Sequence, residues 1–337
     1  MDATTETGGQ SRDLVKLTTR LFCWAILAHF AAWMINMVLN NSFNWPGVGA
    51  IFGGDNSGTA AVQVAIYAIA LAIAVSWVWR TEGNTLRSDS SRISNFNTFL
   101  VRWAFFAVLF IGLADMMISF LRIEGLLEGL VGKELTIDLG RSAYRGPWVH
   151  VPMMALGFLV ALRAKTLGFH WLALLIVVAE LAIVFTRFIF SYEQAFMGDL
   201  VRFWYAALFL FASAYTLLED GHVRVDIFYA GLKNRTKGFL NALSSILLGI
   251  SLCWAILVIC LGTSNAIVYA PVSNFEVSQS GFGMYVKYLM ASFLVVFAVT
   301  MLIQFVAYIL ESVADWREEP GTRLKSTGDH DLTVGAN

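Results

Sequence analysis

Residues 217–229, Leu217-Leu218-Glu219-Asp220-Gly221-His222-Val223-Arg224-Val225-Asp226-Ile227-Phe228-Tyr229, form a short polar block between two long apolar runs. The runs cover residues 200–218 and 240–261. Each has close to the roughly 20 apolar residues that a helix needs to cross a bilayer. A polar block between two such runs indicates a connection at one membrane surface, and the rest of the chain can be placed relative to it.

The whole chain has the composition of a membrane protein. Of its 337 residues, 58% are hydrophobic and 14% are charged, whereas about a quarter of the residues in a soluble domain are charged. Eight apolar windows can be drawn, at residues 21–39, 59–79, 99–121, 148–162, 169–190, 200–218, 240–261 and 285–310. The sequence predicts an all-α integral membrane protein with about eight transmembrane helices, the first of them uncleaved. The fourth window is short and contains Pro152.

The distribution of lysine and arginine predicts the orientation of these helices. With a cytoplasmic N-terminus, sixteen of the 23 basic residues fall in cytoplasmic segments and four in an outer one, the connection at residues 122–147. Cytoplasmic loops carry an excess of basic residues, so we expect both termini and the block at 217–229 in the cytoplasm. The spacing of apolar residues between positions 124 and 130 predicts a short helix in the outer connection.

The polar block itself has features of a structured connection. Gly221 is placed to end the sixth helix, and Asp226 to cap a new one. Basic residues on one face and apolar residues on the other predict a short amphipathic helix over residues 227–238, lying in the headgroup layer. If the block is extended, His222, Arg224 and Asp226 lie on one side of it, where they can bind nearby helix ends or a partner subunit.

Several function classes find no support in the sequence. The net charge of −1 argues against nucleic acid as a partner. The three cysteines, Cys23, Cys253 and Cys260, lie in apolar runs without the spacing of a zinc site or a disulfide framework. The sequence contains no Gly-rich phosphate loop and no HExxH or GxSxG motif. We therefore expect no catalytic residues, no metal site and no enzyme activity.

Ionisable residues inside the spans are candidates for function because they are costly in lipid. Asp115 lies in the third window, and Glu180 lies in the fifth with Arg187 seven residues further on the same helix face. One hypothesis is a cation or proton site, which makes the protein an autonomous carrier that uses Asp115 and Glu180. The other is a pair between helices that fixes their packing.

A membrane redox protein is a further alternative, since membrane cytochromes hold haem between paired histidines. The candidates are His29, His150 and His170. The predicted topology places His150 near the outer face and His170 near the inner face. Because the two imidazoles of a haem site must lie opposite each other, this arrangement does not favour haem.

The order of the motifs in the second half resembles a known family. Residues 214–229 resemble the signature of the small membrane subunit of tripartite ATP-independent periplasmic (TRAP) transporters, the DctQ-like small permease. Four further features match in order: Arg187 with Phe188, Ile189 and Phe190; residues 192–202 with Glu193 and Asp199; residues 273–278 with Glu276, followed by Lys287; and Gln304. The resemblance covers residues 166–316 and is most similar to the subgroup named for mannitol or chloroaromatic compounds.

This resemblance implies a role as a scaffold subunit in a bacterial inner-membrane complex. In such a complex a large permease subunit carries an organic acid or related solute together with sodium, and a soluble periplasmic protein captures the substrate. The resemblance implies a structural or partner-binding role for these matching residues: Arg187, Glu193, Gly221, His222, Arg224, Asp226, Glu276 and Lys287. It implies no cofactor on this chain, sodium at the large subunit, and membrane lipid at the subunit interface.

The chain departs from the family pattern in its first half. Residues 1–165 contain four predicted helices that the usual small subunit lacks. We therefore predict a membrane extension at residues 1–165, a four-helix small-permease domain at 166–316 and a polar cytoplasmic tail at 317–337.

Overall fold

The structure, a computed structural model, describes residues 3–53, 58–166, 168–192, 194–219, 229–277 and 283–321. All regular secondary structure in these residues is helical. The part of the chain described here includes eight helical segments that are long and apolar enough to cross a membrane. The predicted fold class, an all-α membrane protein with about eight spans, is therefore confirmed.

Three long helices come first. α1 covers Ala3–Phe43, α2 covers Gly58–Arg80 and α3 covers Leu86–Ile123. A 3-10 turn at Val48–Ile51 precedes α2. With 38 residues, α3 is about 57 Å long at 1.5 Å per residue. It is therefore much longer than the roughly 30 Å hydrocarbon core of a bilayer, and its first turns include basic residues that the sequence places in a connection.

The outer connection and the fourth span are built from short helices. The predicted helix is present, and two more follow it: α4 (Leu127–Val131), α5 (Lys133–Leu139) and α6 (Ser142–Arg145). A π-helical turn, Gly146–His150, joins α6 to α7, Val151–Arg163. Pro152 is the second residue of α7 and directly follows the π-helical turn, to which it cannot donate a backbone hydrogen bond. Together these segments form the fourth span, Ser142–Arg163.

Four more spans follow. Their helices are α8 (Phe169–Phe190), α9 (Met197–Leu218), α10 (Asn234–Ser244), α11 (Ser251–Leu261), the short α12 (Tyr269–Ser273) and α13 (Lys287–Trp316). A π-helical turn at Ser245–Ile250 joins α10 to α11, and these three segments form one continuous span.

Of the amphipathic helix predicted over residues 227–238, residues 234–238 are helical and residues 229–233 are not, while residues 227 and 228 lie outside the described residues. Residues 229–233 form a turn, and Lys233 has an extended backbone. The helix begins at Asn234 and continues directly into the seventh span. The periodicity of the apolar residues was compatible with a helix, but the extended backbone at Lys233 interrupts it. The orientation of the termini stays a prediction.

Contacts divide the chain into two compact units. The first contains the described residues of Met1–Asn95, His222–Ala266 and Met301–Lys325. In it α1 packs along α2, and α10 approaches α13 closely at Gly238, where a Cβ atom would lie 2.5 Å from the carbonyl oxygen of Ser312.

Ion pairs connect the helices of the first unit. Arg20 is 1% exposed, and its Nε donates to Oδ2 of Asp89 over 2.8 Å. Arg87 pairs with Glu311 and, at 2.8 Å, with Asp315. In the sequence, Arg20 and Arg87 contribute only to the excess of basic residues that predicts the orientation of the helices in the membrane. The structure shows that both also hold α3 against its neighbours α1 and α13.

The second unit contains the described residues of Phe96–Gly221 and Ile267–Thr300. Its core is aromatic: the ring of Phe211 lies 5.7 Å from that of Phe105 in α3 and 5.0 Å from that of Phe293 in α13. α7 approaches α3 closely at Gly157, where a Cβ atom would lie 2.7 Å from the backbone nitrogen of Ala107. The predicted division at residues 165 and 316 stays a prediction. Residues 322–337 of the predicted tail lie outside the described residues.

Candidate functional site

The most polar buried site in the second unit surrounds Asp115 in α3. Asp115 is fully buried, and both of its carboxylate oxygens accept hydrogen bonds. Oδ1 accepts from Nη1 of Arg145 at 2.7 Å and lies 3.2 Å from Nε2 of His150. Oδ2 accepts from the backbone N–H of Tyr285 at 2.8 Å. Three segments that are distant in the sequence therefore meet at one carboxylate.

Arg145 reaches this carboxylate from the last residue of α6. Its side chain is fully buried, its Nε donates to the carbonyl oxygen of Leu139 at 2.5 Å, and its Nη1 also donates to Oγ of Ser119 at 3.2 Å. The guanidinium carbon lies 4.4 Å from the centre of the Tyr285 ring, which is a cation–π contact. The charge of Arg145 is thus balanced by Asp115 and packed against an aromatic face.

His150 continues the network into α13. A carboxylate can only accept hydrogen bonds, so the Nε2 that faces Asp115 carries a proton. In the neutral ring Nδ1 then accepts from the Tyr288 hydroxyl, 2.6 Å away. Both side chains are buried, and the Tyr288 ring also meets Phe275 edge to face at 5.4 Å. We refer to the six residues Asp115, Ser119, Arg145, His150, Tyr285 and Tyr288 as the Asp115 cluster.

The cluster has the chemistry of a structural lock. One carboxylate and one guanidinium balance each other, and breaking such a buried pair is costly because the remaining charge is left without compensation. Among the described residues, no group of three or more His, Cys, Asp and Glu side chains is arranged to hold a metal ion. What the network does is hold the segment before α13 against α3 and the fourth span.

Further polar contacts surround this end of the second unit. Arg122 donates to the Tyr285 hydroxyl at 2.5 Å, and the backbone N–H of Met284 donates to Asp199 at 3.2 Å. Glu124 accepts from the Tyr192 hydroxyl at 3.0 Å. That hydrogen bond, and to a smaller extent desolvation, raises the pKa of Tyr192 above its usual value because ionisation would place two negative charges together.

An apolar cavity of about 290 Å³ lies in the membrane-spanning part of the same unit. α3, α7, α9 and α13 form its walls, and Trp103, Met154, Phe211 and Val296 are among the lining side chains. The Nε1 of Trp103 donates to the carbonyl oxygen of Met154, which fixes one wall. An apolar cavity of this size can hold part of a hydrocarbon chain.

Apart from Asp115, the predicted site residues fall into three groups. The first group lies outside the described residues, so its roles stay predictions: Glu193, Gly221, His222, Arg224 and Asp226.

A second group is in contact. The Nζ of Lys287 lies 2.5 Å from Oε1 of Glu276, and both side chains are about half exposed. The sequence resemblance places both residues in one outer region, and in the structure they form an ion pair. Their role toward a partner stays a prediction.

The third group lies on α8. Arg187 is exposed in its last turn, and Glu180 is exposed near its middle. Among the described residues Glu180 makes no hydrogen bond or ion pair. Of the two intramembrane acids, therefore, Asp115 matches the hypothesis of a packing pair within the chain, and Glu180 does not. No contact joins them in the described part of the chain.

Two of the three histidines named in the haem hypothesis have other neighbours in the structure. Both ring nitrogens of His150 are engaged by Asp115 and Tyr288. His29 stacks between Tyr67 and Trp254, with ring centres 5.2 and 5.5 Å away. Haem ligation by His150 would require the Asp115 cluster to come apart.

Comparison with known proteins gives one match. Residues 175–315 match the family described as tripartite ATP-independent periplasmic transporters, DctQ component. No curated protein and no solved structure matches the chain.

We refer to residues 175–315 as the DctQ segment, because their match agrees with the resemblance seen in the sequence. DctQ is a transporter component and not an enzyme family. The segment starts within α8 and ends within α13, so it supplies Tyr285 and Tyr288 to the Asp115 cluster. Asp115, Arg145 and His150 come from the extension before it. The cluster therefore joins the extension to the DctQ segment.

Sequence reasoning identified Asp115 but missed its partners. In the sequence Arg145 belongs to the outer connection, and Tyr285 and Tyr288 carry no pattern that sets them apart. The available signal was depth: Asp115 lies toward the end of the third span and Arg145 and His150 lie at the start of the fourth, so all three belong to the same membrane face. A buried acid and a basic residue at equal depth on consecutive spans predict an ion pair.

Proposed function

We propose that the chain is the scaffold subunit of a sodium-driven TRAP transporter in the bacterial inner membrane. In this proposal it works with a large permease subunit and a periplasmic binding protein, and the complex imports an organic acid or a related small solute. The observation that carries the proposal is the DctQ match at residues 175–315 within a chain of eight candidate spans.

The site geometry supports a static role. Both oxygens of the Asp115 carboxylate accept hydrogen bonds and the carboxylate pairs with Arg145, so the Asp115 cluster holds helices together. A scaffold of this kind stays fixed while a neighbouring permease moves and carries substrate across the membrane. On this view the chain binds no cofactor, sodium binds to the large subunit, and lipid fills gaps at the interface.

The connection at residues 217–229 has a place in this proposal. We expect Arg224 and Asp226 to hold that connection in shape on the cytoplasmic side. Replacing both with alanine lowers uptake by the complex and leaves substrate capture by the binding protein unchanged. Equal uptake at equal expression would contradict this role.

The test of the proposed function is reconstitution. The genes beside that of this chain are searched for a large membrane protein and a periplasmic binding protein. The chain is purified together with the first, and the ligand of the second is identified by mass spectrometry. Uptake of that labelled ligand into proteoliposomes is then measured with and without an inward sodium gradient. We expect sodium-dependent uptake only when all three proteins are present. Uptake by this chain alone would favour the autonomous carrier.

A further inference from the structure

Glu180 occupies an unusual position for a carboxylate. It is the twelfth of the 22 residues of α8, which places it about 16 Å from either end of the helix and near the middle of the hydrocarbon. The side chain is exposed on the chain, and no described residue pairs with it. A glutamate is too short to reach the headgroups from that depth. Left ionised in lipid, such an acid is costly, so a proton or a group beyond the described residues has to neutralise it.

The helix that carries Glu180 is the least covered of the spans. Only 11% of the most apolar stretch of α8 is buried, the smallest share among the eight candidate spans. The buried residues Leu172, Ile176 and Ala179 form one seam, spaced four and then three residues apart. α8 packs along α9, so the rest of its surface is left to lipid or to another protein.

A second seam lies about 100° around the helix from the buried one. Its members are exposed or half-buried and follow each other at alternating spacings of three and four residues: His170, Ala173, Val177, Glu180, Val184 and Arg187. This is the spacing with which one helix packs its side chains between those of another. We refer to these six residues as the Glu180 seam.

The remaining face of α8 is different in kind. Leu174, Val178, Leu181 and Phe185 are each at least half exposed, between 50% and 57%, and all are apolar. These apolar side chains are stable in contact with lipid, so their exposure does not indicate a protein partner. The carboxylate in the Glu180 seam is not stable in lipid as an ion, so it does indicate one.

We propose that the Glu180 seam docks against a transmembrane helix of the large permease subunit, and that this helix presents a positively charged side chain at the depth of Glu180. The inference rests on the proposed function, from which it takes the partner. Charge complementarity selects the chemistry, because a cation on the facing helix balances the carboxylate within the hydrocarbon. Small Ala173 and the β-branched Val177 and Val184 allow the two helices to approach.

A second copy of this chain is a poorer occupant of the seam. The two-fold axis of a membrane dimer runs along the membrane normal, so equivalent residues of the two copies lie at the same depth. A dimer through the seam would bring Glu180 toward Glu180. Two carboxylates facing each other in hydrocarbon repel, so the charge that favours a basic partner disfavours self-association.

The test measures how much large permease co-purifies with tagged variants of this chain. Glu180→Gln is expected to lower the amount about three- to tenfold, and Glu180→Lys to lower it further because it places like charges together. The matched control moves the acid without changing composition. In the double variant Glu180→Val with Val178→Glu, the carboxylate stays at nearly the same depth but points about 160° away, and we expect association to fall as it does for Glu180→Gln.

The outcomes separate the inference from the function it rests on. If wild-type chain brings down the large permease and all Glu180 variants do so equally well, the inference is wrong and the proposed function stands. If the wild-type chain brings down none, the proposed function itself fails. Monodisperse elution of each variant expressed alone shows that a loss of partner does not come from misfolding.

Cross-linking identifies the neighbour directly. Val177→Cys lies in the seam, and Val178→Cys is its control on the apolar face of α8. In membranes that also contain single-cysteine variants of the large permease, we expect disulfide cross-links from Val177→Cys and few from Val178→Cys. A homodimer formed by Val177→Cys in those membranes, with no link to the permease, would overturn the proposal.

Discussion

Nη1 of Arg145 lies 2.7 Å from Oδ1 of Asp115, and both side chains have no exposed surface. The pair connects the third span to the start of the fourth. Replacing Arg145 with methionine leaves the Asp115 carboxylate buried without its counter-charge. We expect this change to lower the free energy of unfolding by about 3–5 kcal/mol, measured by thermal or denaturant unfolding of the detergent-solubilised protein.

The control for this prediction is a surface pair in the same region. Arg141 pairs with Asp138 at 3.4 Å, but the two side chains are 66% and 42% exposed. Arg141→Met is expected to change the stability by less than about 1 kcal/mol. Equal effects of the two substitutions would show that the Asp115 pair does not contribute as its burial implies.

Tyr288 offers a smaller and more specific change. Tyr288→Phe removes the hydroxyl that lies 2.6 Å from Nδ1 of His150 and leaves that nitrogen buried without this partner. We expect a loss of about 1–3 kcal/mol in the free energy of unfolding. If His150 is first replaced by phenylalanine, removing the hydroxyl should cost less, because the partner is already gone.

Tyr205→Phe is the matched control, since Tyr205 is 53% exposed on α9. The same atom is removed there without leaving a buried acceptor unpaired. Additive effects of the His150 and Tyr288 changes in the double variant would argue that the two side chains act independently.

Gly157 tests the close approach of α7 and α3. A Cβ atom at this position would lie 2.7 Å from the backbone nitrogen and 2.9 Å from the Cα atom of Ala107. Gly157→Ala is therefore expected to force the helices apart at a cost of about 1–3 kcal/mol. Gly198→Ala is the control, because its new methyl group meets nothing within 4 Å. Unfolding temperatures measured side by side decide between a tight crossing and a loose one.

The chain without residues 1–165 tests whether the extension is separable. The shortened chain lacks Asp115, Arg145 and His150, and it also uncovers Phe211, which packs on Phe105 of α3. We expect it to aggregate on size-exclusion chromatography and to recover no large permease.

Supplying residues 1–165 as a second polypeptide should restore part of the assembly if the loss comes from missing contacts. A shortened chain that is monodisperse, binds the large permease and supports uptake would show instead that the extension is an accessory.

The fold was more predictable from the sequence than the site was. Hydrophobic length alone locates a span, because lipid imposes nearly the same requirement on every helix. The fourth window was too short by that measure, and the structure lengthens it through α6 and the π-helical turn before Val151. Helix starts are less certain: apolar periodicity extended a helix across residues 229–233, where the chain turns.

The partners of the buried groups were beyond sequence reasoning for a different reason. Sequence gives the depth of a side chain in the membrane but not the direction in which it points around its bundle. Asp115 and Glu180 are equally conspicuous as intramembrane acids. One is fully buried against Arg145 and the other faces outward, and that difference depends on how helices from distant parts of the chain are arranged.

The length of α3 has a mechanical consequence. At about 57 Å, this helix of 38 residues extends well past the hydrocarbon, and within each unit its side chains bond to the part of α13 in that unit. Ser90 donates to the carbonyl oxygen of Ala307 and, further along, Asn97 donates to that of Thr300. A helix that is hydrogen-bonded to a neighbouring helix resists bending better than an isolated helix does. If the chain is the scaffold proposed above, this pair of helices gives a moving partner subunit a fixed support.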